Sequence, residues 1–184
     1  DWACTREYGL GTELPWDKRW MIESLSDSTI YMAYYTIAKY LQGTEYGIKP
    51  EQLKDELFDF VFLEKGTIGD VEKKTGIKAD LILKMKQEFD YWYPFDMRCS
   101  GKDLVQNHLS FCIFNHTAIF PEKNWPKGIS VNGFLQLDGQ KMSSSKGGVP
   151  TPADALKIME PQLLRWLYAR RKPNQSFKIA FDQE

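Results

Sequence analysis

The sequence has 184 residues, of which 42% are hydrophobic, 14% aromatic and 27% charged, enough for one folded domain with a core and too apolar for a disordered chain. A formal net charge of −1 excludes binding by a basic excess alone, although charge segregated on one face still admits RNA. Three scattered cysteines without a CxxC pair (Cys4, Cys99, Cys112) exclude a disulfide framework, and no stretch reaches the roughly 20 apolar residues of a membrane span.

The expected setting is therefore a reducing, cytoplasmic one, with no signal peptide. His108 and His116 stand eight residues apart, which is not metal-pair spacing, so no metal site is expected in the chain. Asp1 is not an initiator methionine, and the chain is expected to be a fragment.

In chain order, Trp2 to Trp20 is rich in Gly, Pro and Trp and predicts loop with at most one short strand. Ser26-Asp27-Ser28 offers helix N-caps, after which Ile30, Ala33, Tyr34, Ile37, Ala38 and Leu41 recur on one helical face until Gly43. Residues 44–92 read as an inserted helical subdomain. Leu53, Leu57 and Val61 mark one of its helices, and Leu81, Met85, Phe89 and Trp92 mark another.

Phe95 to Ser100 is strand-like, Gly101 a tight turn, Lys102 to Phe120 a buried helix, and Ile129 to Leu137 a second strand. Strand, helix, strand in that order predicts a βαβ unit with parallel strands and a right-handed crossover. After a Ser/Gly/Lys loop from Lys141, Thr151 caps a helix with Pro152 first and Asp154 third. A further helix from Pro161 carries Leu163, Leu164, Trp166 and Leu167, and Phe177 to Phe181 alternates as a strand or an extended docking segment would. The fold class expected is α/β, with a parallel nucleotide-binding sheet, flanking helices and a helical insertion.

Two constellations carry chemistry. Lys141-Met142-Ser143-Ser144-Ser145-Lys146 places two cations and three hydroxyls on one loop, which suits a polyphosphate; the competing reading is a solvated linker. Gly101-x-Asp103-x-x-x-x-His108 lies where a strand gives way to a helix, the place where open parallel sheets bind nucleotides. Gly101 admits a close backbone approach and Asp103 can accept from ribose hydroxyls. The competing readings are a first-turn acid favoured by the helix dipole and a satisfied core histidine.

The order Gly101-x-Asp103-x-x-x-x-His108, Asn132-Gly133-Phe134, KMSSS resembles class I aminoacyl-tRNA synthetases. Residues 22–32 (IESLSDSTIYM) and 91–98 (YWYPFDMR) are similar to the archaeal and eukaryotic leucyl branch. That resemblance implies a Rossmann-like catalytic domain: 1–43 and 93–150 would be its second half, 44–92 the helical insertion, and 151–184 a helical junction after the phosphate loop. It implies ATP, with Mg²⁺ on the phosphates, and leucine and tRNA as partners. Gly101, Asp103, Gly133 and the loop Lys141 to Ser145 would bind ATP. Lys141 and Lys146 would carry the catalytic charge. Leu25, Tyr31 and His108 would line the amino-acid pocket.

Where the family usually has lysine in the loop this chain has Ser144, so Lys141 or Lys146 would carry more of the charge. The family's His-x-Gly-His motif is absent, and the N-terminal half, editing and anticodon-binding domains are expected to be missing, leaving the isolated chain nearly inactive. The tail 147–184 resembles class I lysyl-tRNA synthetases, which keeps a lysyl enzyme open. A non-catalytic tRNA-binding module is the other alternative, supported by Arg165, Arg170, Arg171 and Lys172; a solvated helix end explains the same residues.

Overall fold

The computed structural model describes residues 2–137, 140–141 and 151–179. They form two compact units: Asp1–Arg98 with Val105–Gly128, and Cys99–Leu104 with Ile129–Glu184.

The first unit opens with three antiparallel strands, β1 (Thr5–Arg6), β2 (Glu13–Leu14) and β3 (Asp17–Ile22), with β3 in the middle. The loop expectation for this stretch is corrected. Two-residue strands are too short to show alternation, and Leu14 pairs with Asp17 across a turn that leaves only Pro15 and Trp16 between them. Helix α1 (Ser24–Asp27) follows, capped by Glu23, whose carboxylate accepts from the Leu25 N–H at 3.2 Å. Helix α2 (Tyr31–Leu41) then starts without a side-chain cap, so Ser26 to Ser28 do not cap it.

Ala33, Ile37 and Leu41 recur every four residues on α2 and face the core. Ile82, Met85 and Phe89 of α5 (Ala79–Trp92) pack against this helix, and Leu57 and Val61 of α3 (Asp55–Leu63) and Val71 of α4 (Ile68–Thr75) complete the same core from the side of α5. Phe89 and Ile37 are fully buried, and each contributes about 1.5–3 kcal/mol by leaving water. Thr67 caps α4 at one end, and Gly76, at φ +69°, closes the other in the left-handed conformation that side chains resist.

Strand β4 (Arg98–Gly101) lies beside β5 (Ile129–Asn132) in a two-stranded sheet. Leading into it, the Lys127 N–H donates to the Phe95 carbonyl at 3.2 Å and the Arg98 N–H to the Gly128 carbonyl at 2.9 Å. Both chains advance in the same direction, as parallel strands do.

The single helix expected over 102–120 is corrected. Residues Lys102–Leu104 form one 3₁₀ turn and Val105–Leu109 one wide π turn, and only Ser110–Ile119 is α-helix, named α6. The hydroxyl of Ser110 reaches the Val105 carbonyl at 2.5 Å, satisfying an acceptor the wide turn exposes. One extra residue per turn moves His108 off the Leu104 face that α spacing predicts.

The second unit holds β6 (Leu135–Leu137), paired antiparallel with β7 (Gln140–Lys141), then α7 (Pro152–Ile158) and α8 (Pro161–Ala169). The chain returns as β8 (Phe177–Ile179), parallel to β6. The capping box of Thr151 and Asp154 and the strand at Phe177 are as expected. The single strand expected over 129–137 is corrected: it breaks at Gly133-Phe134, and β5 and β6 join different sheets. The Gly133 N–H donates to the Pro173 carbonyl at 2.9 Å, and a β-carbon on Gly133 would meet the Gln175 and Ser176 backbone at 2.3 Å. The returning chain crosses where glycine leaves room.

Candidate functional site

Strand β4 ends by delivering Gly101, Lys102 and Asp103. A β-carbon on Gly101 would lie 2.5 Å from Oδ1 of Asp103, so the carboxylate folds back over space only glycine leaves open. Asp103 itself is exposed. Beside it, Lys102 lies 4.4 Å from the Phe134 ring centre and donates to Ser176 Oγ at 3.3 Å. That hydroxyl also accepts from the Phe134 N–H at 2.9 Å. Gly101, Asp103 and Gly133 thus belong to one unit. The open side of Gly133, expected to face a ligand, is filled by the Gln175–Ser176 backbone. Lys141 pairs through its backbone opposite Gln136. Met142, Ser143, Ser144, Ser145 and Lys146 lie outside the described residues.

In the first unit His108 is 4% exposed. Its Nε2 stands 2.9 Å from Nη2 of Arg98, and its Nδ1 3.2 Å from Oγ of Ser28, which donates to the Leu25 carbonyl at 3.1 Å. Two of the three expected pocket residues, Leu25 and His108, therefore meet through Ser28. Burial first, and the Arg98 charge second, push the imidazole below its ordinary pKa. The third, Tyr31, does not join them. It packs edge-on against Tyr35 at 4.7 Å and lines a separate cleft of about 430 Å³ with Phe58, Phe62 and Phe120.

The α1 segment that carries Leu25 is held from two sides. Nδ2 of Asn115 donates to Thr29 Oγ1 at 2.9 Å and to Ser26 at 3.1 and 3.2 Å. Glu23, 2% exposed, gathers Arg6 at 2.6 and 2.8 Å and the Trp2 indole at 3.0 Å. Burial raises the Glu23 pKa, but hydrogen bonds from Arg6, Leu25, Trp2 and Ser24 outweigh it and leave the carboxyl low.

Arg98, Ser28, Glu23 and Asn115 are the residues that sequence reasoning missed as parts of a site. Arg98 and Ser28 sit inside the two quoted segments that resemble leucyl enzymes, which was the available signal.

Residues 55–184 match the family model for tRNA synthetases class I (K). The chain belongs to the class I tRNA synthetases. This synthetase chain is 58% identical to the leucine–tRNA ligase of Pyrococcus horikoshii over 85% of its own length and 17% of that relative's. For the ligase of Pyrococcus furiosus the values are 59%, 84% and 16%, and for that of Aeropyrum pernix 56%, 90% and 17%. The chain thus spans about a sixth of the length of these curated relatives. Among the described residues no helix is long and apolar enough to cross a membrane.

Proposed function

We propose that the chain is the second half of a Rossmann-like catalytic domain of a leucyl-tRNA synthetase. In the reaction, the leucine carboxylate attacks the α-phosphorus of ATP and pyrophosphate leaves. A tRNA ribose hydroxyl then takes the leucyl group and AMP leaves. The protein does little covalent work in the first step, so its residues act by positioning and by charge. Mg²⁺ travels with ATP as part of the substrate.

Asp103 accepts from the ribose hydroxyls, with Gly101 leaving the space its carboxylate folds over and Gly133 letting the returning chain pass beside the strand end. Lys141 and Lys146 offset the charge that grows on pyrophosphate, and Met142, Ser143, Ser144 and Ser145 form the loop that follows the phosphates. Leu25 and His108 line the leucine side, while Tyr31, six residues after Leu25, faces the separate cleft. Arg165, Arg171 and Lys172, all exposed, suit the backbone of an acceptor stem.

The observation that carries this reading is the exposed Asp103 carboxylate folded over Gly101 at the end of a parallel strand, in a chain whose relatives are leucine–tRNA ligases. The test replaces the matching segment of the Pyrococcus furiosus ligase with this chain. The hybrid should catalyse leucine-dependent ATP–pyrophosphate exchange, and Asp103→Ala should raise its KM for ATP. A well-folded hybrid without exchange, or one indifferent to Asp103→Ala, contradicts the reading.

A further inference from the structure

We propose that Arg98 is a positioning residue that locks His108 as an uncharged imidazole with its proton on Nδ1. A guanidinium has five N–H donors, no acceptor and a permanent charge. Its Nη2 stands 2.9 Å from Nε2 of His108, so Nε2 has to be the ring's acceptor atom. The ring proton is then on Nδ1 and goes to Ser28 Oγ at 3.2 Å, while the serine's own hydrogen goes to the Leu25 carbonyl at 3.1 Å. The row from Arg98 to Leu25 has one consistent set of donors and acceptors. Flipping the ring proton to Nε2 would set donor against donor at Arg98.

A second proton would have to enter between the ring and a fixed cation. The charged groups on the neighbouring elements are few. Strand β4 brings Arg98, and α1 brings Asp27, with Glu23 just before it. Helix α6 brings only Cys112 and His116 as titratable groups. Glu23 is engaged by Arg6 and Trp2, and His116 by Tyr93 and Cys112. What opposes charge on the His108 ring is burial together with Arg98.

The consequence for substrate rests on the leucine reading above. An uncharged ring beside Leu25 suits an apolar side chain, because burying an imidazolium there would cost desolvation and the ring's hydrogen-bond partners among the described residues, Arg98 and Ser28, offer no anion. The Arg98 cation behind the ring further disfavours a cationic amino acid.

The chain has two histidines, so nitrogen-15 NMR of labelled histidine in the 184-residue protein reads both rings directly. The lock predicts His108 as the Nδ1–H form with no titration near pH 6.5, and Arg98→Met should free the tautomer and move titration up toward that range, burial still opposing the charge. An Nε2–H ring, or ordinary titration in the unsubstituted chain, overturns the proposal even if the variant fails to fold.

The ligase hybrid gives the second arm. With Arg98→Met, the leucine KM relative to the parent should rise as pH falls, by up to about ten-fold at one pH unit below the ordinary histidine pKa, the bound set by a ring free of any shift. The kcat should stay within about two-fold. An intact lock by NMR with a pH-independent leucine KM in the variant would leave Arg98 as the ring's holder and overturn His108 as a leucine-pocket residue.

Discussion

Oδ1 of Asp103 lies 2.5 Å from the point where a β-carbon on Gly101 would sit, too close for both. The acid's position therefore depends on the residue two before it. Gly101→Ala should push the carboxylate aside. Because the clash is with the tip of an exposed side chain, the fold should lose no more than about 1 kcal/mol. If the carboxylate holds the ribose, the ATP KM of the ligase hybrid should rise roughly ten-fold or more, since a hydrogen bond to a charged group contributes about 1.5–3 kcal/mol. Asp103→Ala should do the same, and the double substitution should add little, because both remove one interaction. Additive effects in steady-state kinetics would separate the two residues.

Glu23 ties Trp2, Arg6 and the start of α1 together. Glu23→Ala leaves the Trp2 indole and the Leu25 N–H without that acceptor. The expected loss is about 1–3 kcal/mol in urea unfolding, discounted because Arg6 is partly exposed and can turn to water. A change below about 0.3 kcal/mol would show the cluster to be incidental.

His116 is fully buried, donates from Nδ1 to the Cys112 carbonyl at 2.7 Å and accepts the Tyr93 hydroxyl at Nε2 at 3.1 Å. Burial lowers its pKa, as burial first and Arg98 second lower that of His108. Below about pH 6.5 the unfolded chain binds protons that the folded chain refuses, so stability falls as pH falls. Above that pH the histidine contribution is complete and flat. Urea midpoints should drop from pH 7 to 5.5, by at most about 1.4 kcal/mol per pH unit for each histidine. His116→Phe should flatten part of the slope. A histidine-independent slope would assign the pH response to carboxylates.

Tyr93 stacks between Phe89 at 4.6 Å and His116 at 5.8 Å, with burial pushing its phenol pKa up. Tyr93→Phe keeps the packing and strands Nε2 of His116. A cost of roughly 1–3 kcal/mol by thermal unfolding is expected. A neutral outcome would show that the ring stacking, and not the hydroxyl, holds the histidine.

Much of this was legible in the sequence where the signal is local. The four-residue recurrence of Ala33, Ile37 and Leu41 and the Thr151–Asp154 cap each name their own structure, whereas Gly101, expected as a tight turn, is the last residue of β4. What stayed hidden depends on partners far along the chain. The break at Gly133 is set by Pro173 to Ser176, some 40 residues on. Arg98, ten residues before His108, reaches it only because the wide π turn presents that ring, and helical periodicity has no term for such a turn. Tyr31 follows Leu25 and Ser28 in sequence, yet a new helix begins at that residue and aims it into another cleft.

The most direct measurement is amino-acid-dependent ATP–pyrophosphate exchange by the ligase hybrid, run side by side with leucine and with lysine. A leucyl site predicts exchange that needs leucine and ignores lysine at equal concentration. Exchange driven by lysine, with leucine inert, would contradict it.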